Sequence, residues 1–116
     1  MNLGKETETL EFKKTTGEMK EAMISITSIL NKHGVGTLYF GVKSNGDIIG
    51  QTVSESSLRD VSRTIYETIK PQIYPAIQEE VYQGRSIIKV EFSGENTPYS
   101  AAGKYYLRTA DEDREV

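Results

Sequence analysis

The sequence predicts an α+β domain, with two helices packed on a mixed, mostly antiparallel sheet of about five to six strands. Three observations predict it. Apolar residues recur at helical spacing in two segments. Shorter runs alternate or are bracketed by glycine, as half-buried strands are. The order strand, helix, strand, strand, helix, strand, strand, strand shows no internal repeat.

In residues 3–14, Glu6, Glu8, Leu10 and Phe12 alternate with Thr7, Thr9, Glu11 and Lys13. That period of two describes an edge strand with its polar half in water. Thr15 and Glu18 fit a capping box opening a helix over residues 17–31. Met19, Ala22, Met23, Ile26, Ile29 and Leu30 form its core stripe, and Lys20, Glu21, Ser25, Ser28 and Lys32 its solvent face. Residues 31–50 read as a glycine-rich turn, a buried strand over 37–42, a tight turn at Asn45-Gly46 and a returning strand through Ile48 and Ile49.

The rest of the chain is expected to cover this hairpin. Ser54 or Ser56 caps a second helix whose seam is Leu58, Val61, Ile65 and Ile69, and Pro71 ends it. Residues 77–82 and 86–92 are strands joined at Gln83-Gly84, residues 94–103 a polar loop, and residues 105–109 a last short strand. Residues 1–110 form the domain. Residues 111–116 are an acidic tail, the expected start of a linker to a further C-terminal region.

With 116 residues and a net charge of −3, the chain has one core and the wrong overall sign for a whole-surface nucleic-acid binder. The acidic excess lies entirely in the tail, so residues 1–110 can still carry a local basic face. The absence of cysteine excludes disulfides and thiolate metal sites. There is no membrane-spanning run and no signal-peptide layout, so the expected compartment is the cytoplasm, with no membrane partner.

Three groups of residues could carry chemistry. Glu6 and Glu11, with Lys13, could act in metal-dependent phosphodiester cleavage, because hard cations take oxygen ligands and developing phosphate charge needs a cation. Glu6 and Glu11 differ in parity, however, so such a site requires a bend; a charged edge strand is the simpler reading. Lys32 and His33 lie in the glycine-rich turn, where they either end a helix or meet phosphates. With a single histidine and no phosphate-binding Gly-x-x-x-x-Gly-Lys loop, a histidine-based metal set and P-loop hydrolysis are excluded. Lys104, Tyr106 and Arg108 alternate onto one face as a phosphate-and-base strip.

In combination, the Glu-Phe-Lys of residues 11–13, the helix ending at Asn31, Leu38-Tyr-Phe-Gly-Val, Ile48-Ile-Gly, Pro71, Pro98 and Tyr105-Tyr-Leu-Arg resemble the Schlafen-type AlbA domain. The resemblance spans nearly the whole chain. It implies a DNA-binding α+β domain at the front of bacterial transcriptional regulators and RecG-related proteins, followed by a helix-turn-helix or ATPase-like region. It also implies a nuclease alternative, since vertebrate Schlafen relatives cut RNA with carboxylates of this domain. Glu6 and Glu11 occupy the first two acidic positions. The third should follow Gly41-Val42, where Lys43 and Ser44 stand instead, and the next carboxylate is Asp47. The turn over residues 31–37 is also one residue longer than the usual pattern.

The leading expectation is therefore a non-catalytic module for DNA or RNA, without metal or cofactor, whose contacts are Lys13, Lys32, His33, Lys43, Lys104, Tyr106 and Arg108. The alternatives are a magnesium- or manganese-dependent nuclease using Glu6, Glu11 and Lys13, with Asp47 as the candidate third carboxylate, and a homo-oligomerisation module using an unpaired edge strand or helix face.

Overall fold

The computed structural model describes all 116 residues. Its elements are β1 (Leu10–Lys13), α1 (Met19–His33), β2 (Val35–Phe40), α2 (Glu55–Thr68), β3 (Ile69–Lys70), β4 (Ala76–Tyr82), β5 (Arg85–Ser93), β6 (Ser100–Ala101), β7 (Lys104–Thr109) and β8 (Glu112–Glu115). The α+β class and the two helices are as expected, but the strands divide into two sheets of four. One is mixed, in the order β1-β2-β5-β4 with β1 parallel to β2; the other is antiparallel, in the order β3-β6-β7-β8.

The division has a local cause. Ile69 leaves α2 in extended conformation, and with Lys70 it pairs with Ala101 and Ser100. This two-residue ladder is the edge of the second sheet. Residues 112–115, expected in a tail, instead pair with residues 106–109, Arg108 standing directly opposite Asp113. The acidic end is thus a strand of the domain.

The helix starts and stops follow their capping chemistry. Thr15 accepts from the Gly17 amide in a single 3-10 turn, and Glu18 Oε1 accepts from the Lys14 amide, so the expected box is reciprocal but shifted by one residue. Ser54 and Ser57 cap α2 by bonding each other's amides. The hairpin after β2 shrinks to one bridge, Val42 to Ile48. Its turn closes with Gly46 at φ +92° and with Asp47 accepting from the Lys43 amide, a type I turn with a glycine bulge rather than a two-residue type I′ loop.

The main core lies between the helices and the sheets: Ala22, Met23, Ile26, Ile29 and Leu30 of α1 meet Val61 and Ile65 of α2, Leu38 and Phe40 of β2, and Ile88, Val90 and Phe92 of β5. Gly36 allows this approach, because a Cβ there would fall 2.6 Å from Ile29 Cγ2 and 2.8 Å from Phe92 Cζ. Phe12, Val42, Ile48 and Ile87 make a smaller cluster on the other face of the mixed sheet. Asn31 joins α1 to the second sheet: its amide donates to the carbonyls of Tyr99 and Tyr106 and its oxygen accepts from the Tyr99 amide. No helix is long and apolar enough to cross a membrane.

Candidate functional site

The chain before β1 bends. Thr7 donates its amide to the Leu10 carbonyl, and Glu6 folds back until its Oε2 accepts from the Phe12 amide at 3.0 Å. The unbroken edge strand expected from residue 6 onward is therefore bent here, which brings Glu6 and Glu11 together despite their opposite parity. The half-buried Glu6 carboxyl is pushed up to about 7, first by burial, then by Glu11 beside it; the Phe12 amide and Lys13 pull the other way.

Glu11, on the face of β1 opposite Phe12, is 6% exposed and stands at the centre of an ionic cluster. Lys13 Nζ lies 3.1 Å from its Oε2 and Arg108 Nη2 2.8 Å from its Oε1. The Arg108 approach is ionic rather than directed, since Glu11 Oε1 accepts no aligned hydrogen bond. Arg108 is completely buried. Its Nη1 donates to Asp113 Oδ1 at 2.6 Å and its Nη2 to the Thr7 carbonyl at 2.8 Å. Burial alone would weaken its charge, but the Asp113 hydrogen bond and the negative charges of Asp113 and Glu11 overcome that and raise its pKa. Asp113 also accepts from Ser25 and Ser28 of α1. Arg108 therefore ties β1, α1 and the β7–β8 hairpin together and offers nothing to solvent, which corrects its expected role as a phosphate contact. Ser25 and Ser28, expected on the solvent face of α1, are fully buried under this cluster.

The donor set does not fit a divalent metal. Glu11 already faces two cations, and no three His, Asp or Glu groups converge. Asp47, the candidate third acid, is engaged at the turn by Asn2 and Asn45, and the Asn2 bond, first among its neighbours, lowers its pKa.

The remaining expected contacts separate into paired and unpaired groups. Lys32 Nζ and His33 Nε2 both reach Glu8 Oε1, at 3.1 and 2.7 Å, and those two bonds, that of His33 first, hold the Glu8 carboxyl below its usual range. The ion pairs of the molecule otherwise engage Lys13, Arg63, Lys89, Arg108 and Arg114. Lys43 is exposed and unpaired. Lys104 and Tyr106 line a groove of about 570 Å³ together with Met19, Lys20, Met23, Ile24, Thr64, Thr68, Ala101 and Ala102. Lys20, one of its two cations, was assigned by its position on α1 to an ordinary solvent face. No sequence period links it to Lys104, because the groove exists only once the second sheet packs beside α1.

Comparison with known proteins places this geometry. No curated protein matches the chain. Among solved structures, the DIP2311 protein from Corynebacterium diphtheriae superposes with a TM-score of 0.75 at 16% identity, covering 94% of this chain and 22% of that one. The N-terminal domain of a RecG-related protein from Nitrosomonas europaea superposes with a TM-score of 0.57 at 18% identity, covering 76% of this chain and 63% of that one. The chain thus spans less than two thirds of either. These likenesses concern the fold. The Schlafen AlbA_2 family model matches residues 6–116, which includes the bent acidic segment, the groove and the terminal hairpin, and the chain belongs to that family.

Proposed function

We propose that this domain is a non-catalytic nucleic-acid-contacting module serving a regulatory or RecG-related protein, and that the groove between α1 and the β6–β7 hairpin is its contact surface. One observation carries the reading: Lys20 and Lys104 line the same groove without an acidic partner, whereas Lys13, Lys32, His33 and Arg108 are held by carboxylates. An unpaired ammonium keeps its full attraction for a phosphate; a paired one must first give up its partner. Family membership and the RecG-related likeness support the same class of partner.

The test is a titration of the protein with labelled nucleic acid at several salt concentrations. Binding weakens as salt rises, and the doubly substituted Lys20→Ala, Lys104→Ala protein loses about 1.4–1.8 units of the log–log salt slope, about 0.7–0.9 per phosphate contact. A slope that the two substitutions leave unchanged removes the groove from the contact surface.

A further inference from the structure

We infer that the groove receives unpaired bases, so that the nucleic acid it takes is single-stranded, with backbone phosphates on Lys20 and Lys104; this rests on the reading just proposed. The groove pairs an apolar floor with cationic rims. Met19, Met23, Ile24, Ala101 and Tyr106 supply the floor, and the two free lysines stand beside it. A duplex satisfies only half of that arrangement, because its bases are stacked inside and it presents phosphates and polar base edges. An unpaired strand satisfies both halves: its bases have apolar faces to bury and its backbone carries charge.

The size agrees. About 570 Å³ lies within the roughly 300–1,000 Å³ of small-molecule pockets, enough for a base. Polar groups are also present where base edges would need them. Thr64 and Thr68 stand one turn apart on α2 in the groove wall; Thr64 uses its hydroxyl hydrogen on the Asp60 carbonyl and keeps its oxygen free to accept. A second groove of similar volume, lined by Asn31, Thr97, Pro98, Tyr105, Leu107 and Val116 with Tyr106 shared, has no cation on it. Charge therefore selects the first groove for a polyanion.

The experiment compares three probes by fluorescence anisotropy with the whole chain at low salt: a short oligothymidylate, an abasic strand of the same length, and a duplex of that length. The single strand binds about tenfold tighter than the other two, the worth of one stacked base. Ile24→Ser, which strips apolar surface from the half-exposed floor, removes most of that preference. Equal affinity for the abasic strand or for the duplex overturns the base pocket while leaving nucleic-acid binding intact, and so does an Ile24→Ser protein that keeps the full preference. No complex with any probe overturns both readings together. Should Ile24→Ser fail to fold, the abasic comparison on the unaltered protein still decides.

Discussion

The Arg108 centre and the Lys20–Lys104 groove are both built from cations beside α1, yet they are opposites. Around Arg108 the charges are buried, matched by Glu11 and Asp113 and tied to backbone carbonyls. In the groove the ammonium groups are exposed and unmatched. The difference teaches that a basic residue in a strand is a binding candidate only after the residue opposite it in the ladder is known. Arg108 faces Asp113 across β7–β8, so its charge is used within the fold.

The sharpest way to break this comparison is Arg108→Met. It leaves Glu11 and Asp113 buried without their common partner, and urea denaturation should show a loss of about 3–5 kcal/mol. That is a large share of the stability of a small domain. A loss below about 1 kcal/mol accompanied by a fall in nucleic-acid binding would return Arg108 to the contact surface. Asp113→Asn is milder. The amide can still accept from one serine, but Arg108 keeps Glu11 alone as its counter-charge, so the cost is about 1–3 kcal/mol.

Glu6 tests the acidic side of the same centre through pH. Its folded pKa of about 7 lies above the ordinary 4.5, so the folded chain holds this proton more tightly than the unfolded one. The stabilisation is complete below about pH 4.5 and is lost as pH rises through about 7. Glu6→Gln keeps an oxygen for the Phe12 amide and never ionises. Its stability in urea should match the parent at about pH 4.5 and exceed it by about 1–2 kcal/mol at about pH 8, a figure reduced for the solvent that reaches this half-exposed group. A constant difference across that range would remove Glu6 from the cluster's titration.

Much of this architecture was legible before folding was considered. The stripe from Met19 to Leu30, the seam from Leu58 to Ile69 and the alternation of Ile88, Val90 and Phe92 each state a period and each packs on the main core, with Met19 and Leu58 partly buried at its margin. What was not legible lacks a period. Ser100 and Ala101 are too short to show alternation, yet they pair β3 to β7 in the second sheet. Residues 112–115 have no apolar member and resemble a tail, and the turn before them has Ala110 at φ +56° where glycine or asparagine would have announced a hairpin. Without that turn, the five-residue spacing of Arg108 and Asp113 gives no hint that they meet. Ser25 and Ser28 failed for the same reason: beneath Asp113 a serine is well paired, and polarity alone assigned them to water. The bend at Glu6 was not legible: parity made it a condition of a metal site only, and an unbroken charged edge strand was the simpler reading.

The smallest effect concerns the far end of α1. Lys32 and His33 lie twelve and thirteen residues beyond Lys20, which at the helical rise is about 18–20 Å along the axis, and both are held by Glu8. Glu8→Gln removes that anion and leaves Lys32 free. If the groove alone meets the backbone, the salt slope of binding stays as it was, because a cation freed that far from Lys20 and Lys104 touches no bound phosphate. A slope steeper by about one unit would mean that the strand runs on along α1 to its C-terminal end. The contact surface would then include a residue that the native fold keeps neutralised, and the distinction between paired and unpaired cations would depend on Glu8 staying in place when nucleic acid arrives.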